Sequence, residues 1–531
     1  MPAKKMPTAE VVPELQPGLA DTIAFRQQMG HISRHSAVFF AGTIFTAAAG
    51  YLFKIYLARV LGAEALGTYA LGMTIVGLLG VFNALGLPNS AVRFVAAYRA
   101  TGRLDLLRGF LARSIVLLFF FNFLLGGAVL LVGPWVAVHV YHTPALKRYL
   151  GLFALIMIFG ALTGFLGQVL TGYKHVARRT LITNFIGSPL TMLFTLGLVA
   201  AGLGLWGYIF AQVASALVVL VLLVIAVWKL TPKAARAFSA KLAPMDAEVV
   251  SFSAVVFAMD SLSFIIGQAD KILIGFFLDA RELGIYAMAV ALVVFVPVVL
   301  QSVNQIFSPT IADLHARGQS ELLDRLFQTL TKWILGLTLP LGCFIIIFAR
   351  PLMRIFGPEF ETGWLILVIG TVGQLINCGV GSVGYLLLMS GQQVRLIRIQ
   401  AVMAVVMVGM NLLLIPKLGL TGAALSAAVT NAVSNVWFLR EVRSKLNLFP
   451  YNRSYFRLLP PLGANLAVLV LLRVFGGGFL PWWLTLAIAL SSAYMVFVAV
   501  ALAVGLDADD KVIARALWSR ARGMAGAGVG A

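Results

Sequence analysis

An all-α, polytopic membrane protein is the fold class this sequence predicts. Apolar runs of about 20 residues recur almost from end to end, and each is long enough to cross a bilayer as a helix. Of the 531 residues, 60% are hydrophobic and 11% charged, where a soluble domain carries about 25% charged residues. Basic residues then concentrate in alternate gaps between the runs, as the positive-inside rule requires. Barrel strands would be shorter and would alternate in polarity.

Taken in order, about fourteen spans are expected. A polar segment, 1–35, comes first, with Lys4, Lys5, Arg26 and Arg34. It lacks the pattern of a cleavable signal and reads as a soluble or interfacial leader. Spans at 36–58, 68–92, 114–138, 149–171, 181–202 and 206–228 make a first half, 36–229. A basic, Pro-containing linker follows at 230–250. A second half, 251–440, carries spans at 251–276, 285–306, 333–349, 362–389, 396–415 and 420–438. Two further spans, 458–474 and 482–505, fall in 441–505, before a tail at 506–531.

Charge orients this arrangement. The chain has 40 Lys and Arg and a formal net charge of +20. With the N-terminus inside, about 30 of them fall in inner segments, about 8 in outer loops and about 2 within spans. Both termini are therefore expected in the cytoplasm. The positive charge reads as topology plus contact with anionic head groups. No nucleic-acid motif accompanies it.

The two halves repeat one another. Residues 54–71 read KIYLARVLGAEALGTYAL and residues 271–288 read KILIGFFLDARELGIYAM. Lys54 lies over Lys271, Leu66-Gly67 over Leu283-Gly284, and Tyr69 over Tyr286. GRLDLL at 102–107 returns as GQSELL at 318–323, and GLGLWG at 202–207 as KLGLTG at 417–422. Six spans bring the chain back to its starting side, so the halves enter the membrane alike and are expected to be related by a pseudo-twofold axis along its normal. Two lobes about a central cleft, rocking to give alternating access, is a transporter architecture.

Other chemistry is weakly represented. Cys343 and Cys378 imply no disulfide framework. His139 and His142 have HxxH spacing but no acids nearby to complete a metal site. No P-loop, nucleotide fingerprint or GxSxG is present, and no cofactor is expected.

The stretch 58–98, ARVLGAEALGTYALGMTIVGLLGVFNALGLPNSAVRFVAAY, resembles the opening of the polysaccharide biosynthesis flippases. These belong to the superfamily of multidrug, oligosaccharidyl-lipid and polysaccharide exporters. The resemblance rests on Arg59, Leu61, Gly62, Gly67, Tyr69, Gly86, Leu87, Pro88 and Arg93. The second copy departs from it: Phe276 replaces the arginine and Asp279 the first glycine. The resemblance implies a lobed six-plus-six-plus-two bundle and a polyprenyl-diphosphate-linked oligosaccharide carried outward. The expected partners are that lipid-linked oligosaccharide, membrane lipids and a polysaccharide polymerase or assembly complex. Taken structurally, the glycines would shape the turn between helices, Tyr69 and Tyr286 would anchor at the outer interface, and Pro88 would kink or end the second span.

Lysine in the centre of a membrane helix costs about 2.5–3.5 kcal/mol, yet Lys54 and Lys271 recur at one depth. One reading lets them snorkel to outer head groups. The other has them line the cleft and hold the diphosphate, with Arg59 and Arg93 extending the positive lining. Asp260 and Lys271 are eleven residues apart, on one face of a straight helix and about 16 Å apart along its axis. Gln268, Gln301, Asn304, Gln305, Gln374 and Asn377 are candidates for sugar contacts or for interhelical hydrogen bonds. Asp260 and Asp270 are candidates for ion coupling or gating. They keep alive a second class, a multidrug exporter driven by protons or sodium, which the lysines disfavour by repelling cationic drugs. A third class is a membrane glycosyltransferase or ligase. The outer loops look too short for its catalytic domain.

Overall fold

The computed structural model describes residues 17–232, 245–475, 481–505, 507 and 510, with side chains from residue 49 onward except at 81, 263, 266 and 306. Most of the linker, most of the tail and the first part of the leader lie outside these. The described residues form helices and short turns, with no strand. The chain divides into two compact units, 1–55 and 56–531. The first is helical from Pro17. The second holds nearly all the bundle.

The helices are α1 Pro17–Ala84, α2 Leu87–Ala100, α3 Leu104–His139, α4 Leu150–Gly172, α5 Val176–Thr180, α6 Ser188–Ala200 and α7 Gly204–Leu230. The second half opens with α8 Ala247–Phe277, α9 Ala280–Val293, α10 Val298–Ala316, α11 Ser320–Ile347 and α12 Ala349–Arg354. It continues with α13 Trp364–Val380, α14 Val383–Met389, α15 Gln393–Leu418 and α16 Leu420–Leu446. Then come α17 Leu459–Phe475 and α18 Trp482–Val504. Among the described residues, ten helices are long and apolar enough to cross a membrane, or up to twelve if each bent pair is one span.

The difference from fourteen has local causes. The expected span 68–92 breaks at Leu85 and Gly86, both with positive φ (51° and 67°). Pro88 therefore sits in the first turn of α2, where its missing N–H would have no helical partner anyway. Helix α8 bends by 53° between Ala247–Leu262 and Gly267–Phe277, and α9 and α10 meet at 51°. Helix α16 is not among the ten. Ser426, Thr430 and Asn435 lie buried along it, so its polar residues face protein rather than lipid.

The repeat extends to individual hydrogen bonds. In the first half, Arg103 donates to the Tyr98 carbonyl at 2.9 Å and Leu104 to Gly102 at 2.9 Å. In the second, Gln319 donates to Leu314 at 3.0 Å and Ser320 to Gly318 at 3.0 Å. Gly102 and Gly318 both have φ of 69°, a region only glycine enters without strain.

One apolar core joins α2, α3, α4 and α7, with Leu107, Leu118, Phe165 and Leu223 fully buried. Val249 of α8 enters this core, so the second half begins packed against the first. A second core is built from α10, α11, α14, α15 and α16 around Ile311, Phe327, Leu386 and Val442. Helices α17 and α18 pack on each other and on α11. Tyr494 donates to the Leu337 carbonyl at 3.1 Å, so the last two helices buttress the second half.

Candidate functional site

The repeat motif supplies one contact between the halves. Gly62 breaks α1 with φ 79° and ψ 173°. The helix restarts at Ala63, whose N–H has lost its upstream partner. Glu359, from the second half, caps it: Ala63 N–H donates to Glu359 Oε1 at 2.8 Å. A Cβ on Gly62 would stand 3.1 Å from that oxygen. Arg59 Nε donates to the Ile355 carbonyl at 2.8 Å, and Arg281 lies 3.8 Å from Glu359. In the second copy Asp279 replaces Gly62 and caps its own helix, accepting from the Glu282 N–H at 2.8 Å. The departure from the motif thus replaces a cap from the other half with a local one.

Beyond this cap α1 and α9 cross backbone to backbone. A Cβ on Gly67 would lie 1.5 Å from the Ala280 carbonyl oxygen, and one on Gly284 2.0 Å from that of Ala63. The sequence suggests turn-forming roles for Gly67 and Gly284, but both lie inside helices. They let two helices touch. The contact is reciprocal, as a local twofold demands.

Tyr69 and Tyr286 also depart from the interfacial expectation. Tyr286 is 1% exposed and donates to Asp270 Oδ2 at 2.6 Å. Tyr69 is partly buried, with Gln212 at 3.1 Å and Tyr208 beside its ring. Each phenol satisfies its polar end inside the protein, one on an acid and the other on an amide.

Around Tyr286 the structure gathers three sequence candidates. Asp270 Oδ1 accepts from the Lys271 N–H at 2.8 Å, and Lys271 Nζ donates to Gln268 Oε1 at 2.8 Å. Asp270 is buried and Lys271 partly so. Asp260 is exposed and lies beyond the 53° bend in α8. The straight-helix argument that put Asp260 and Lys271 on one face therefore fails. Lys54 is exposed on α1 in the first unit. Gln301 and Gln305 are exposed, and Asn304 is buried. Asn377 donates to Gln374 at 3.0 Å.

The other end is tied by α2 and α8. A Cβ on Gly86 would meet the Ser253 carbonyl oxygen at 2.2 Å. Ser90 and Ser253 share a hydrogen bond of 2.7 Å. Arg93 pairs with Glu248 at 2.5 Å and covers the Phe252 ring at 4.8 Å. Arg93 thus holds the halves together here, while Arg59 does so at the α1 kink.

One cluster escaped the sequence reading. Lys332 is 8% exposed in α11. Its Nζ reaches Asp510 at 2.8 Å and Asp507 at 3.0 Å. Asp510 also accepts from Trp333 Nε1 at 2.9 Å, and Arg457 pairs with Asp507. The signal was the acidic run after the last span, opposite a lysine with no acid on its own turn.

A family profile described as "Polysaccharide biosynthesis protein" matches residues 32–315, just over half the chain. The chain belongs to that family. Its polytopic helical fold is shared with solved membrane proteins. It resembles the lipid II flippase MurJ in an inward closed conformation, with a TM-score of 0.71 and 14% identity, over 90% of this chain and 99% of that one. It also resembles an inward-facing multidrug resistance MATE family transporter, with a TM-score of 0.61 and 14% identity, over 75% of this chain and 94% of that one. An uncharacterized membrane protein of Methanocaldococcus jannaschii is 22% identical over 427 residues, 75% of this chain and 81% of that protein.

Proposed function

We propose that this family member is a flippase. It carries a polyprenyl-diphosphate-linked oligosaccharide from the cytoplasmic to the outer face by alternating access, for surface polysaccharide synthesis. Family membership supports the pathway, and the fold shared with a lipid II flippase supports the class of motion. The observation that carries the reading is the pair of inter-half contacts. Gly67 of α1 meets Ala280 of α9 near the α1 kink, and Arg93 of α2 meets Glu248 of α8 at a separate contact. Two repeats held by separate contacts can release one while keeping the other, as alternating access requires.

In this reading the membrane is the bacterial inner membrane and both termini are cytoplasmic. Lys54 and Lys271 hold the diphosphate from opposite lobes, and amides such as Gln268, Gln301, Asn304 and Gln374 meet the sugars. A polymerase or assembly complex receives the product. One observation favours a second reading, an ion-coupled multidrug exporter: Asp270 is a buried acid held by Tyr286, and such acids carry coupling ions.

The test is reconstitution in liposomes with defined lipid-linked oligosaccharides, with and without an imposed ion gradient. Translocation of the lipid-linked sugar supports the flippase. Efflux of organic cations without sugar translocation supports the second reading and overturns the first.

A further inference from the structure

Beside the α1 kink a cavity of about 840 Å³ opens, with four guanidinium groups and two carboxylates on its walls. Arg59 comes from α1, Arg350 and Arg354 from α12, and Arg473 from the last turn of α17. The acids are Glu359 and Glu361. Glu359 is already engaged by Ala63 and Arg281. Among the described residues no carboxylate lies within ion-pair distance of Arg350, Arg354 or Arg473. Trp482, Thr485 and Leu486, from the first turns of α18, also line the cavity.

The arginines are held in a particular way. Arg350 lies over the Trp364 ring at 4.7 Å, Arg473 over Phe348 at 5.9 Å and Arg59 over Trp482 at 6.0 Å. A ring takes up the flat face of a guanidinium and leaves its in-plane N–H donors pointing outward. Purely structural arginines would be expected to find acids or carbonyls. Among the described residues, of these four only Arg59 has such a partner, the Ile355 carbonyl. Guanidinium forks with open edges suit a multiply charged tetrahedral oxyanion, for which Arg is chosen over Lys. The positive end of α18 adds to the same field.

We infer that this cavity binds a phosphate or diphosphate group, either on a lipid head group or on a soluble molecule, independently of which cargo the protein moves. The site lies beside the junction of α1 with the second half, so its occupancy also offsets the excess of four arginines over Glu359 and Glu361 at that junction.

The experiment uses the full chain in detergent and in nanodiscs. Inorganic pyrophosphate is titrated by calorimetry into the wild type and into an R350Q/R473Q variant. Neither residue contacts the α1–α9 crossing. Saturable binding that weakens at least tenfold in the variant, and recovers to within about threefold in R350K/R473K, is the expected result. Unchanged pyrophosphate affinity in the double Gln variant, or no saturable binding in detergent, overturns the site. Should the double variant unfold, R354Q alone is read against the same criteria. Nanodiscs of phosphatidylcholine and of phosphatidylglycerol then separate the sources. Weaker pyrophosphate binding in phosphatidylglycerol assigns the site to a lipid head group, and equal binding assigns it to a soluble phosphate compound.

Discussion

Gly67 and Gly284 stand 217 positions apart in the chain, and each is placed where a side chain would strike the other's helix. The Gly67 position faces the Ala280 carbonyl and the Gly284 position faces the Ala63 carbonyl. Equivalent residues of a duplicated sequence thus meet across a local twofold. Overpacking of this kind costs about 1–3 kcal/mol. Gly67→Ala and Gly284→Ala should each destabilise the protein by that amount. The double variant should lose less than the sum, because one separation relieves both clashes. Thermal unfolding in detergent measures this.

Arg93 and Glu248 are each about half exposed (side chains 51% and 59%), so solvent screens their attraction and the pair is worth about 0.2–1 kcal/mol. That is enough to shift an equilibrium by about 1.4-fold to fivefold. Arg93→Gln and Glu248→Gln should increase the population with the α2–α8 end open by similar factors, without adding in combination. Spin-label distances between Ala97 and Ala254, both exposed, would report it. No change in either single variant would remove the tie.

The phenol of Tyr286 is the partner that keeps Asp270 satisfied in the interior. Tyr286→Phe should cost about 1–3 kcal/mol, the penalty for stranding a buried acceptor. Asp270→Asn retains an acceptor and should be milder for stability. If Asp270 carries a coupling ion, Asp270→Asn abolishes gradient-dependent transport and leaves substrate binding intact. Liposome transport with and without the gradient separates these outcomes.

At Asp507 burial alone would raise the carboxyl pKa. The hydrogen bond and charge of Lys332, the charge of Arg457 and the Ser454 hydroxyl outweigh it, and the group is held below its usual value. A depressed carboxylate stabilises the fold above its unfolded pKa of about 3.9 and loses that contribution as pH falls through the folded value. Asp507→Asn should therefore lower the melting temperature at pH 7, and its deficit should shrink as the pH falls below about 4. A deficit independent of pH would argue that the ion pair is not its source.

Should Lys54 and Lys271 share one diphosphate, Lys54→Gln and Lys271→Gln should each weaken flipping by about 1–3 kcal/mol, the scale of a charge-assisted hydrogen bond. Their effects should be non-additive, and Lys54→Arg should retain more activity than Lys54→Gln. Normal flipping by the double Gln variant, at matched protein levels, would leave both lysines as interfacial anchors.

Helix class and the repeat were legible because both reside in local pattern: run length, and matching glycines such as Gly102 and Gly318. What glycine does was not legible. Gly62 and Gly67 look alike in sequence, but one takes a positive φ and the other admits a neighbouring helix, and only the partner helix distinguishes them. Bends were hidden for a similar reason. Nothing in the period of α8 announces its 53° turn, so Asp260 and Lys271 were placed on one face. Lys332 and Asp510 are 178 positions apart, and no window along the chain links them. Asp270 and Lys271 were found because an ion in an apolar run is conspicuous by itself.

The two caps at the repeated turn also differ in time. Asp279 and the N–H groups it serves emerge from the ribosome almost together. Ala63 emerges 296 residues before Glu359, which caps it. At about 5–20 residues per second, the restart of α1 waits on the order of 15–60 s in the membrane for its partner. The second half completes its corner alone, whereas the first is finished only when its twin arrives. Synthesis halted between the halves should therefore leave a first half whose α1 restart lacks its cap.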